Sequence, residues 1–286
     1  MDRCHRSGPV ARQAQTGARS LSEVINLAYE ENGSGDPVLF IAGTGGAGRT
    51  WHIHQVPPFV AAGYRCITFD NRGIGATENA GGFGTEQMVA DTAALIEQVA
   101  DGGPARVVAM SMGAYIAQEL MLVRPELVSQ AVLMGTRGRL DRIRKSIRAA
   151  DVELTKAEIQ LPAAYAAKVR VLENFSPKTI NDEKAIGDWM EMFTAFPIKR
   201  TPGLAAQLEV YPKDNRLAAY RSIPTEVLVI GFADDVLTPA VLGREVADAL
   251  PNGRYVQIGH TGHLGFLERP DTVNNAMLDF FAGTLV

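Results

Sequence analysis

Val107-Val108-Ala109-Met110-Ser111-Met112-Gly113-Ala114-Tyr115 joins a short apolar run to a stretch rich in Ala, Met, Leu and Gln. The apolar run has the composition of a strand buried on both faces, and the stretch after it has that of a helix. A serine at such a junction, with small residues two positions before and after it, can occupy a sharp strand-to-helix turn. That turn lifts the hydroxyl above the end of a sheet, where it faces substrate. Ala109 and Gly113 are the small flanks. Nine serines in a chain with 28 glycines would meet a glycine two residues on about once by chance. The surroundings therefore have to carry the assignment.

A nucleophilic serine needs a base to take its proton, an acid to orient that base, and donors for the oxyanion. Tyr255-Val256-Gln257-Ile258 reads as a strand and delivers Gly259-His260-Thr261-Gly262-His263, a loop from which a histidine can lean over the serine. Val227-Leu228-Val229-Ile230 is a β-branched buried strand, and the acid candidates Asp234 and Asp235 follow it. Val38-Leu39-Phe40-Ile41 is another strand, followed by Ala42-Gly43-Thr44-Gly45-Gly46-Ala47-Gly48. Backbone N–H groups in a loop with so little side-chain bulk can approach a ligand closely. The amides of Thr44 and Met112 are the expected oxyanion donors, with Gly43 beside the substrate. A phosphate-binding loop is the rival reading, but the segment lacks the Gly-Lys-Ser/Thr ending of a P-loop. Asp70, after Cys66-Ile67-Thr68-Phe69, is the one feature that would suit a dinucleotide fold.

The chain order Ser, Asp, His is that of the α/β-hydrolase fold. From about Val24 to Leu285 the sequence resembles the cofactor-independent, non-haem haloperoxidase-like branch of that superfamily. Phe69-Asp70-Asn71-Arg72-Gly73-Ile74-Gly75-Ala76-Thr77 is similar to the branch's Asp-x-Arg-Gly-x-Gly-x-Ser segment. His263-Leu264-Gly265-Phe266-Leu267-Glu268-Arg269-Pro270 is similar to its catalytic-histidine segment. The resemblance implies His263 as the base. It also implies an acid four residues before a proline, which selects Asp235 over Asp234. Ala42 stands where many relatives have histidine, and Thr44 where haloperoxidases carry an aromatic residue, which argues against peracid formation.

Composition agrees. At 286 residues with 46% apolar content the chain can bury a large core. A net charge of −4 gives no electrostatic footprint for nucleic acid. Cys4 and Cys66 form neither a disulfide framework nor a metal cluster. No apolar run reaches the roughly 18 residues of a membrane helix, so no membrane partner is expected and the compartment implied is the cytoplasm. His52, His54 and His260 lack the company of a metal motif. Residues 1–20, which include His5, read as a disordered extension.

From Leu21 strands alternate with helices, the pattern of a mostly parallel sheet flanked by helices on both faces. Strands are expected near 24–29, 38–42, 65–69, 106–110, 130–134, 226–231 and 254–258. Helices are expected near 50–62, 86–100, 112–123, 239–249 and 271–282. Between 136 and 222 the strand pattern gives way to helical spacing punctuated by prolines. The expected division is a core of 21–135 and 223–286 with a helical cap of 136–222. Trp189, Met190, Met192, Phe193 and Phe196 make the cap apolar. They hold its helices together, with one or two, Trp189 and Phe193 foremost, expected to face the pocket with Tyr115. Arg137, Arg139, Arg142, Arg144, Lys145 and Arg148 open it. Such a run is usually a solvated face. Its sharper reading is a dock for an anionic group, with Arg139 and Arg142 sharing one helix face.

The function these residues imply is a serine hydrolase acting on a small-molecule ester, thioester or lactone, with Ser111, Asp235 and His263 as triad and no cofactor. Coenzyme A or carrier-protein thioesters are within its range. Two other readings stay open: a lyase using the same triad as base, as in the menaquinone-pathway synthase, which has arginine where Tyr115 stands here, and a small-molecule receptor on the same fold.

Overall fold

The computed structural model describes residues 24–77 and 82–285. The extension expected for residues 1–20, with Cys4 and His5, lies outside the described residues. Seven strands form one sheet: β1 (Tyr29–Asn32), β2 (Pro37–Ile41), β3 (Arg65–Phe69), β4 (Ala105–Met110), β5 (Val128–Met134), β6 (Glu226–Phe232) and β7 (Gly253–Ile258). Their order is β1-β3-β2-β4-β5-β6-β7, with β1 antiparallel to β3 and the other neighbours parallel.

The helices of the sheet layers are α1 (Val56–Ala61), α2 (Thr85–Val99) and α3 (Met112–Val123) in the first half. Between β5 and β6 the chain leaves the sheet for α4 (Arg142–Lys156), α5 (Ala163–Asn174), α6 (Pro177–Ile180), α7 (Glu183–Ala195), α8 (Pro202–Leu208) and α9 (Leu217–Tyr220). It then returns through α10 (Ala240–Ala249), α11 (Gly265–Glu268) and α12 (Pro270–Phe281).

Alternate residues of a strand face opposite sides, so each apolar run feeds two cores. Leu39, Ile67, Val107, Leu133 and Val229 pack against Ile96 of α2, Leu120 of α3 and Val246 of α10. Phe40, Cys66, Val108, Val132 and Leu228 pack against Phe59 of α1 and Met277 and Phe280 of α12. Each such side chain, taken fully from water, contributes about 1.5–3 kcal/mol. Burial also pushes the Cys66 thiol up to about 12, which removes the reactive thiolate at neutral pH. In a Cys4→Ser variant, a thiol reagent should therefore leave the native protein unlabelled and modify one site on denaturation. Rapid native labelling would show that β3 opens.

Two elements differ from expectation. The first strand is Tyr29–Asn32 rather than the apolar 24–29, because its polar, exposed sequence is that of a protected edge. Leu27 instead drops into the core. The helix expected near 50–62 is split into a 3₁₀ turn at Gly48–His52 and α1, whose first turn holds Pro57 and Pro58.

β2 lies between β3 and β4, so the chain passes from one side of β2 to the other between β3 and β4. In an open parallel sheet such a reversal leaves a crevice beyond the carboxyl ends of the strands. The loop after β2 and the turn after β4 border that crevice.

Candidate active site

Ser111 connects β4 to α3 with φ 56° and ψ −115°, a conformation that costs a residue with a side chain about 1–3 kcal/mol. The surroundings enforce it. Ser111 N donates to Met134 O at 2.9 Å, and Tyr115 N donates to Ser111 O at 3.1 Å. A Cβ on Gly113 would stand 2.4 Å from Ile41 O and 2.7 Å from Ala42 O, so only glycine lets α3 start this close to β2. A Cβ on Gly43 would come within 3.1 Å of Ser111 Cβ, which puts the backbone of Gly43 directly beside the serine.

His263 Nε2 lies 3.0 Å from Ser111 Oγ, and its Nδ1 lies 2.7 Å from Asp235 Oδ2. The buried carboxylate accepts from Leu237 N at 2.8 Å, Thr238 N at 2.7 Å and Thr238 Oγ1 at 2.6 Å. Because a carboxylate only accepts, the Nδ1 proton faces Asp235 and Nε2 is left to accept the serine hydroxyl. Thr238 Oγ1, 2.9 Å from Nδ1, closes the network. Asp234 is partly exposed and engages Thr261 O only through its backbone N–H; His260 is exposed.

The histidine loop is tied to the inserted helices. Glu268 accepts from Gly262 N, and its other oxygen accepts from Ser176 N and Oγ at 3.0 and 2.7 Å. Leu264 N donates to Asn174 O at 3.0 Å.

Thr44 sits in the turn closed by Gly46 N to Gly43 O at 3.0 Å, with Gly45 at φ 68°. Met112 is the first residue of α3, so its N–H has no intrahelical acceptor and points out at the positive end of the helix dipole. The loop is held from behind. Gln207 of α8, fully buried, accepts from Gly45 N and donates to Arg72 O, both at 2.8 Å. Asn71 Nδ2 donates to Ala42 O at 3.1 Å, and Asp70 accepts from Gly48 N at 2.9 Å and Ala76 N at 2.8 Å. Arg72 grips Asp91 through two bonds of 2.6 Å. The Asp70-Asn71-Arg72 segment is thus a brace for the glycine loop.

Other expectations resolve differently. Tyr115 is core: it packs with Ile116 and Tyr220, and burial, with Glu119 nearby, pushes its hydroxyl up to about 12. Phe193 packs with Phe175, at a ring-centre distance of 5.9 Å, in the inserted helices' own core, while half-buried Trp189, 4.9 Å from Phe175, also packs against the core that Phe59 and Phe280 share with the sheet. Arg139 and Arg142 do not share a helix face, because α4 begins only at Arg142, capped by Asp141 accepting from Arg144 N. Arg139 pairs with Glu245 of α10 through bonds of 2.7 and 2.5 Å, and Arg144 with Asp141 at 3.1 Å. Among the described residues no three of His, Cys, Asp and Glu gather as metal ligands, and His52 engages Thr68 at 3.0 Å. No helix of the described residues is long and apolar enough to cross a membrane.

This sheet, and a serine on a strained turn facing a histidine and a carboxylate, have their counterpart in the alpha/beta hydrolase family, whose sequence profile matches residues 38–276. The chain belongs to that family and is an enzyme of the hydrolase type. BpoC of Mycobacterium tuberculosis, which carries the provisional name non-heme bromoperoxidase, is 70% identical over 259 residues, spanning 91% of this chain and 98% of that one. The crystal structure of BpoC superposes with a TM-score of 0.89 at 68% identity, covering 93% of this chain and 98% of that one. RutD of Azorhizobium caulinodans, provisionally named a carbamate hydrolase, is 27% identical over 262 residues, or 89% of this chain and 94% of its own.

Proposed function

We propose that the protein is a serine hydrolase that cleaves an ester, thioester or lactone of a small molecule through an acyl-enzyme. The observation that carries this reading is the continuous hydrogen-bonded path from Ser111 Oγ through His263 to Asp235, with steps of 3.0 and 2.7 Å. His263 Nε2 takes the Ser111 proton as the oxygen attacks the carbonyl carbon. Asp235 stabilises the imidazolium that forms. The amides of Thr44 and Met112 receive the oxyanion. Preorganised donors of this kind account for much of the rate in acyl transfer, because they need no rearrangement as charge develops. His263 then protonates the leaving group, and a water activated by the same nitrogen releases the acid.

The inserted helices act in this reading as the cap over the serine, and the compartment is the cytoplasm. Carbamate cleavage, the reaction named for one relative, is the same acyl transfer with a different leaving group. Hydrolysis of a short nitrophenyl ester, with Ser111 labelled by a fluorophosphonate, tests the proposal. Release of the free acid supports hydrolysis, whereas an unsaturated or C–C-cleaved product would assign lyase chemistry. Absence of both turnover and labelling would leave a receptor.

Gln207 gives a further expected result. Gln207→Leu removes the partner of Gly45 N–H and of Arg72 C=O, two part-buried bonds worth about 0.5–1.5 kcal/mol each. The glycine loop loses its rear support, and kcat should fall about 10- to 100-fold while KM changes little. Gln207→Glu, which keeps the acceptor for Gly45, should recover part of the rate. Unchanged kcat in the leucine variant would remove the glutamine from any part in positioning the loop.

A further inference from the structure

The three triad residues are not held by the same part of the fold. Ser111 is fixed by its N–H bond to Met134 O of β5, and Asp235 by the N–H groups of Leu237 and Thr238 in its own turn. Both anchors belong to the sheet and its loops. Thr261 still belongs to that side, since its carbonyl accepts from Asp234 N at 2.9 Å. The backbone on either side of His263 is anchored elsewhere, on the corner between the end of α5 and the start of α6.

The last carbonyls of a helix have no partner within it. At the end of α5, Asn174 O accepts from Leu264 N at 3.0 Å. Gly262 lies against the same corner: a Cβ there would stand 2.6 Å from Asn174 O and 2.6 Å from Phe175 C, so glycine lets the two backbones touch. Half-buried Glu268 joins the two sides. One of its oxygens accepts from Gly262 N, and the other from fully buried Ser176, through N at 3.0 Å and Oγ at 2.7 Å. A carboxylate suits this place because it only accepts, and all three groups facing it can donate. Beyond the corner, Phe175 packs on Phe193 in the core of the inserted helices, and Leu264 packs against both that core and the sheet's.

We propose that Glu268 is a positioning residue for the base: it makes the place of His263 depend on the α5–α6 corner, so that the inserted helices set the rate of the chemical steps. The inference rests on the hydrolase reading. His263 has to meet Ser111 Oγ and Asp235 Oδ2 at 3.0 and 2.7 Å together, and a misplacement of about 1 Å in such a group can cost about 100-fold. The insertion then contributes to kcat even for a substrate too small to touch it.

Glu268→Ala should lower kcat on a short nitrophenyl ester about 100-fold while KM stays within about twofold. Fluorophosphonate labelling of Ser111 should slow with it. The proton NMR signal of the hydrogen-bonded His263 Nδ1–H, recorded well below the melting temperature, should broaden or vanish. Glu268→Gln keeps an acceptor for Gly262 N and can donate to Ser176 Oγ, so it should recover most of the rate and the signal. Ser176→Ala removes one donor on the far side of the link. It should lower kcat about tenfold and add little in the Glu268→Ala background, because both residues act through one contact. Wild-type kcat with an intact Nδ1–H signal in Glu268→Ala overturns the proposal, whatever its melting temperature. Full activity of Ser176→Ala overturns it too, by confining Glu268 to its own loop, and this variant decides the matter if Glu268→Ala does not fold. The NMR signal needs no turnover: a wild type that neither turns over nor labels ends the hydrolase reading, and the response of the signal still decides whether Glu268 positions His263.

Discussion

Replacing Ser111 with alanine should lower kcat by about 10⁶, the scale seen when a triad nucleophile is deleted, and should abolish fluorophosphonate labelling. Almost nothing in the fold depends on the hydroxyl, whose one partner among the described residues is His263 Nε2. The backbone at this position is another matter. Alanine inherits the φ of 56° and its strain, whereas glycine adopts that conformation freely. Ser111→Gly should therefore be as inactive as Ser111→Ala yet melt at a higher temperature. Such a pair of variants separates the chemical role of the side chain from the energetic burden of the turn. Full activity in either would end the nucleophile assignment, and equal melting temperatures would end the claim of strain.

The second large effect belongs to the acid. Asp235→Asn should cost about 10⁴ in kcat, while Asp234→Asn should change the rate little. Asparagine keeps an acceptor for Leu237 N and Thr238 N, so the turn survives. Its NH₂ group, however, would oppose His263 Nδ1, and the imidazole would settle with its proton on Nε2. That tautomer cannot take a proton from Ser111. Steady-state rates of the two single variants on one nitrophenyl ester decide the matter, and the reverse order would move the role to Asp234.

Much of this arrangement is legible in the chain because its parts are local. Strands buried on both faces appear as the apolar runs 38–41, 107–110 and 227–230, and the residues that end them are the chemical ones. The resemblance separates Asp235 from Asp234, and the hydrogen bonds explain why: only Asp235 turns its side chain inward. Gln207 is not legible. It bonds Gly45 across 162 residues and Arg72 across 135, and a glutamine inside a short helix carries no local mark of either partner. Thr238 has a weak signal, standing three residues after Asp235, where a hydroxyl can return to a carboxylate in a turn. Charge spacing alone misreads the run of six cations, because it does not reveal where a helix begins. Asp141 starts α4 at Arg142 and pairs with Arg144, and Glu245 claims Arg139 from a helix about a hundred residues away.

Gln207 makes the inserted helices and the sheet a single heritable unit. Lids of this fold class invite exchange, since the insertion leaves and re-enters the sheet at neighbouring strands, β5 and β6. A transplanted insertion without an amide at this position would leave Gly45 N–H and Arg72 C=O without the partner that ties the glycine loop to the Arg72 segment. Chimaeras of this protein should therefore carry residues 202–208 with the sheet rather than with the lid, and a graft that keeps that helix has a stable platform on which the rest of the cover can be redrawn.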